Sequence, residues 1–220
     1  MTVGSMTQIV EDVQSIYTIV LALAIAEAFN QTIKENRPET EKRASTFVNW
    51  FDCVHHSRVV SLIVFLLLAA PFFQGNQKYL YLQYIEPLHG ANPPRTISAS
   101  FLNFDCLVFS VEAGLFFVMS RSLSSNRWQQ FYATIVLLLS VDFIWAVIEK
   151  KRGAIMPAEW IWFDIIAAVI LTAIIAVDLF VIRYDREKEL NRYCYWAISI
   201  ISLIGLVYGY FYEIDYLIDY

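Results

Sequence analysis

The chain has 220 residues, 58% of them hydrophobic and only 17% charged, with a mean hydropathy of +0.50 and a net charge of -5. That hydropathy is high for a soluble globular domain, and the length leaves room for several membrane-crossing helices but no large soluble domain beside them. The acidic balance argues against a nucleic-acid-binding surface. The three cysteines, Cys53, Cys106 and Cys194, cannot all pair and argue against a disulfide framework.

A membrane-crossing helix needs about 20 mainly apolar residues. On that measure the sequence predicts an all-α fold: a polytopic transmembrane helix bundle of five or six spans, forming a single integral membrane domain over residues 1–220. The spans fall near 16–33, 57–74, 101–120, 131–148, 160–182 and 193–212. The first 15 residues carry no Lys or Arg, so no cleavable signal peptide is expected. A helical stripe of Ile9, Val13, Ile16, Val20 and Leu23 leads into the first span, which Ile16–Phe29 defines least sharply. Pro71 and Gly75 are expected to close the second helix. The segment Gln74–Ser100 then reads as the longest exterior loop, with Tyr79, Tyr81 and Tyr84 at headgroup level.

The third span is interrupted by Asp105 and Glu112. The fourth, Phe131–Ile148, has Asp142 as its only charge, and the fifth holds Asp164 and Asp178. The sixth carries Ser202, Gly205 and Gly209, a small-residue face for close helix packing, expected within the molecule by default. Small alanines at Ala22, Ala24, Ala26 and Ala28 give the first span a similar face.

Basic residues set the orientation. Lys34, Arg37, Lys42, Arg43, Arg58, Arg121, Arg127, Arg183, Arg186, Lys188 and Arg192 fall on one side of the predicted spans. Only Lys78, Arg95, Lys150, Lys151 and Arg152 fall on the other. The richer side is expected in the cytoplasm, with both termini outside and the protein in the cell (inner) membrane. Lys34, Arg37, Lys42, Arg43 and Arg58, with Arg183, Arg186, Lys188 and Arg192, form the two basic loops available to a cytoplasmic protein partner.

Acids inside apolar spans are costly and mark functional sites unless something simpler explains them. Asp105 and Asp164 are expected in the first turns of their helices, where the helix dipole favours an acid. Asp178 lies one turn from the cytoplasmic end, close to Arg183 and Arg186, where it can pair or snorkel. Glu27, Glu112 and Asp142 remain. Counted at 1.5 Å per residue from the predicted span limits, all three sit roughly 9–17 Å below the outer surface. The simpler alternative for each is a neutral carboxyl bonded to Ser, Thr, Asn or Tyr on a neighbouring helix.

Asp52, Cys53, His55 and His56 form the only metal-like cluster, without the partner ligands that zinc requires, so no metal and no cofactor are expected. Nucleophile-elbow, P-loop and dinucleotide motifs are missing from the sequence, and no enzyme is expected. The leading functional expectation is a homo-oligomeric channel in the lipid bilayer, conducting cations or protons past Glu27, Glu112 and Asp142. At the level of build alone, small multi-pass proteins of this kind resemble membrane effectors of bacterial antiviral defence or stress systems. The alternatives are a non-conducting scaffold or sensor subunit that recruits a cytoplasmic partner, and a small proton-coupled transporter.

Overall fold

A computed structural model describes residues 3–34, 56–86, 99–123, 128–153, 158–184 and 188–218. Arg37, Lys42, Arg43, Arg127 and Asp52–His55 lie outside the described residues, as do the side chains of Lys34, His56, Arg183, Arg186, Lys188, Arg192 and Gly209.

The described chain is helical: α1 (Val3–Lys34), α2 (His56–Leu80) running on into a π-helical turn (Tyr81–Ile85), α3 (Ala99–Ser122), α4 (Trp128–Lys151), α5 (Ala158–Tyr184) and α6 (Lys188–Ile218). Five helices are long and apolar enough to cross a membrane, and α6 adds a shorter apolar stretch, Tyr193–Tyr208. Large apolar side chains face outwards from every helix, among them Ile16, Leu23, Ile63, Leu107, Ile144, Val169, Phe180 and Ile204. That inversion of the soluble pattern fits helices whose outer surface meets lipid.

The helices pack as a closed ring in the order α1–α3–α4–α5–α6–α2, with α2 returning to α1. We call the end at which α1, α3 and α5 begin the upper end. Each connection reverses direction, so α2 and α4 finish at the upper end. Gln14 and Gln77 join α1 to α2 near that end by reciprocal bonds from side-chain amide to backbone carbonyl, 3.3 and 3.5 Å long. At the lower end Gln129 of α4 donates to Asp178 of α5 at 2.8 Å.

Four expectations change. The first helix begins at Val3, well before Ile16, and Ile9, Val10, Val13 and Tyr17 pack this upper part on the core, whereas Ile16 and Leu23 of the expected stripe face outwards. The second passes through Pro71 and Gly75 without stopping. A proline removes one backbone hydrogen bond, but Phe72, Leu80 and Tyr84 are buried beyond it and hold the helix on the bundle. Asp105 and Asp164 are each the seventh residue of their helices, past the first turn, and both are buried. The sixth helix runs past the expected limit at 212 to Ile218.

Candidate functional site: a buried polar column

Polar side chains line up inside the ring at three levels. At the middle level Asn76 of α2 donates from Nδ2 to Oε2 of Glu112 on α3 at 2.7 Å. Asp142 of α4 lies within electrostatic range of the same carboxyl. Tyr17 of α1 faces Asn76 and feels both acids. Glu112 is 0% exposed and Asp142 2%. The second oxygen of Glu112, Oε1, is buried and accepts no hydrogen bond. Buried polar atoms are nearly always hydrogen-bonded, so this oxygen stands out.

One spacing, repeated on three helices, encloses this level. On α2 Asn76 has Phe72 one turn below and Tyr79 one turn above. On α3, which runs the other way, Glu112 has Phe116 below and Phe109 above. On α4 Asp142 has Leu138 below and Trp145 above. Each polar residue therefore has a large apolar or aromatic neighbour four residues away on the lower side and an aromatic one three residues away on the upper side. Both sit on the same helix face. The upper aromatics interlock, with Tyr79–Trp145 ring centroids at 4.7 Å and Phe109–Trp145 at 5.4 Å. Below, Phe72–Phe116 and Phe65–Phe116 meet edge to face at 5.7 and 6.0 Å. The middle acids are shut between two aromatic layers.

The upper level is a denser network. Asp105 on α3, 0% exposed, accepts from Trp145 Nε1 through Oδ1 at 2.9 Å. Its Oδ2 accepts from the hydroxyls of Tyr84 and Tyr79, the latter at 3.3 Å. The Tyr79 hydroxyl also lies 2.8 Å from Oε2 of Glu149 on α4. Glu149, 1% exposed, pairs through Oε1 with Arg152. The Arg152 guanidinium lies over the rings of Phe101 and Phe104, 4.4 and 4.6 Å from their centroids. Local backbone puts these groups in place. Gly153, at φ 84, ends α4 and keeps Arg152 on its last turn, within reach of Glu149. The wider π turn brings Tyr84 to the side of α2 that Tyr79 already occupies.

The lower level is made of hydroxyls. Tyr132 of α4 and Ser199 of α6 share a 2.8 Å bond, and Ser61 of α2 meets Tyr195 of α6 at 3.4 Å.

The sequence-derived candidates divide. Glu112 and Asp142 come together. Glu27 does not join them: it is half-buried and accepts from Asn30 at 3.3 Å and from Gln31 on its own helix. Because α1 begins at Val3, Glu27 lies ten residues below Tyr17, about 15 Å deeper than the acid pair. The common depth inferred from Ile16 is thereby corrected. Asp105 belongs to the upper network and is held by three donors. Asp164 is buried on α5, and Asp178 takes its bond from Gln129. Ser202 is half-buried, and a Cβ on Gly205 would meet nothing within 4 Å, so Gly205 makes no close packing within the molecule. Arg58 is half-buried at the lower end of α2.

Glu149, Arg152, Tyr79, Tyr84, Trp145, Asn76 and Tyr17 were not anticipated. Glu149 was legible: it follows Asp142 by seven residues, as Glu112 follows Asp105, so two antiparallel helices each carry acids at the same two levels. Among the described residues no group of three or more His, Cys, Asp or Glu side chains could hold a metal ion. Comparison with protein-family models, with curated proteins and with solved structures finds no match.

Proposed function

We propose that this multi-pass membrane protein passes a small cation, foremost the proton, through the interior of each subunit, with Glu112 and Asp142 as the binding site. One observation carries the reading: two fully buried carboxyls from different helices lie within electrostatic range of each other, one with an oxygen that accepts no hydrogen bond, enclosed above and below by aromatic layers. A site closed on both sides suits stepwise, alternating passage better than an open pore. The reading thus moves from an oligomeric channel towards a proton-coupled transporter whose pathway belongs to a single subunit. Any homo-oligomer would assemble complete units. The distribution of basic residues favours the upper end as the exterior. A role in bacterial defence rests on resemblance of build alone.

The test is proton flux into liposomes holding the purified chain, read with an interior pH-sensitive dye under a potassium diffusion potential. The wild type is expected to acidify the lumen. Glu112→Gln and Asp142→Asn should each lower the rate at least about ten-fold, which corresponds to roughly 1.4 kcal/mol or more on the limiting barrier. Both substitutions keep size and hydrogen-bonding capacity, so elution and melting should be unchanged. No flux from the wild type, or full flux from both variants, removes the proposal. Retained recruitment of a cytoplasmic protein by flux-inactive chain would then favour the scaffold.

A further inference from the structure

The upper network contains a hydrogen-counting conflict. The Tyr79 hydroxyl has one hydrogen and faces two carboxyl oxygens, Glu149 Oε2 at 2.8 Å and Asp105 Oδ2 at 3.3 Å. It can donate fully to one of them. Contact with the other is attractive only when that carboxyl brings a proton of its own and donates it to the tyrosine oxygen. Three oxygens in a row, with a hydrogen that can belong to either bond, form a relay and not merely a brace. Tyr84 differs: its hydroxyl ends on Asp105 Oδ2 and leads no further.

Both ends of the row point somewhere. Glu149 meets Arg152, which is 24% exposed and is the group of this network nearest solvent. Asp105 meets Trp145, whose indole donates to Oδ1 and whose ring forms the upper aromatic layer one turn above Asp142. Beyond that layer the buried Oε1 of Glu112 accepts no hydrogen bond.

Resting on the proton-passage reading above, we propose that Glu149, Tyr79 and Asp105 form the outward-facing proton-loading relay, and that Trp145 is the gate it controls. A proton from solvent adds to Glu149 Oε2 as Arg152 swings off. It passes to the Tyr79 oxygen while Tyr79 gives its own hydrogen to Asp105 Oδ2. Tyr79 ends neutral, Glu149 ends anionic and pairs again with Arg152, and Asp105 ends as the neutral acid. One proton has moved and no bond is left unbalanced. Neutral Asp105 holds the Trp145 N–H less strongly, because hydrogen bonds to charged acceptors are about twice as strong as neutral ones. Release of the indole opens the layer above Glu112 and Asp142.

The titratable groups meeting the relay are Tyr84 from the π turn, Asp105 and Cys106 from α3, and Glu149 and Arg152 from α4. Lys78 precedes Tyr79 on α2, and α1 buries Val10 here while keeping Glu11 and Asp12 exposed.

The liposome assay discriminates relay from brace. Tyr79→Phe is expected to reduce proton flux at least about ten-fold, whereas Tyr84→Phe, which removes a bond to the same carboxyl oxygen but no onward contact, should lower it clearly less than Tyr79→Phe does. Equal losses in the two variants, or undiminished flux in Tyr79→Phe while Glu112→Gln is inactive, overturn the relay and leave the binding site standing. A wild type without flux overturns both. Should Tyr79→Phe not fold, Glu149→Gln decides: it still accepts the tyrosine hydrogen but cannot carry a proton forward, so ten-fold loss supports the relay and full flux refutes it. In a chain whose other five tryptophans are changed to Phe, steady-state Trp145 emission gives a second readout, expected to shift on external acidification and not to do so once Tyr79→Phe is added.

Discussion

Asp105 shows how much one residue can organise. Its two oxygens collect an indole N–H and two phenol hydroxyls from α2, the π turn and α4, so one side chain of α3 fixes three aromatic rings. A buried donor that loses its acceptor costs about 1–3 kcal/mol, while exchange for another acceptor costs far less. Asp105→Ala strands three donors and should destabilise the protein by about 3 kcal/mol or more. Differential scanning fluorimetry in detergent should read a fall in melting temperature of roughly 6 °C or more. Asp105→Asn keeps a carbonyl for two of the donors and should recover most of that loss. Near-equal melting of the Ala variant and the wild type would mean that the three bonds add little to stability.

At the scale of the element, apolar runs made the helices legible, because a run of about 20 hydrophobic residues has one stable form in lipid. The acids of α3 and α4 stood out for the same reason, and Glu112 and Asp142 are both buried within electrostatic range of each other. The tyrosines of α2 were hidden by punctuation: Pro71 and Gly75 signal an end in water, yet here packing beyond them carries the helix to Leu80. Asn76 and Tyr79, donors to the buried acids, lie in that continuation, and Tyr84 in the π turn that follows it. Glu149 was legible in its spacing from Asp142 but was passed over, because Lys150, Lys151 and Arg152 beside it made the end of α4 read as a charged loop. Glu27 misled because depth was counted from the wrong start of α1.

On the small-residue face of α6, Ser202 is half-buried, while a Cβ on Gly205 would meet no atom within 4 Å. Gly205→Ala should therefore leave the melting temperature unchanged or raise it by a few degrees, since alanine favours a helix by up to about 1 kcal/mol over glycine. A clear loss of melting temperature, together with loss of a larger species on size-exclusion chromatography, would instead assign the face to a second copy.

For the whole molecule, the side on which the relay opens depends on orientation. Arg152, Glu149 and Tyr79 lie at the end where α1, α3 and α5 begin, and the connections at the opposite end hold most of the basic residues. On the positive-inside tendency that basic end is expected in the cytoplasm, because Lys and Arg in short loops resist translocation. Cysteines placed singly at Arg95 and at Lys42, in a chain whose Cys53, Cys106 and Cys194 are changed to Ser or Ala, should separate cleanly. A membrane-impermeant maleimide added to intact cells should label the Arg95→Cys variant and should reach Lys42→Cys only after permeabilisation. The reverse pattern would turn the relay to the cytoplasm, and proton loading would then begin from within. External acid would lose its effect on Trp145, while cytoplasmic acid would gain it. Labelling of both positions in intact cells would put an odd number of crossings between the two loops out of reach, and would require one of α2 or the π-turn segment to return to the side on which it began.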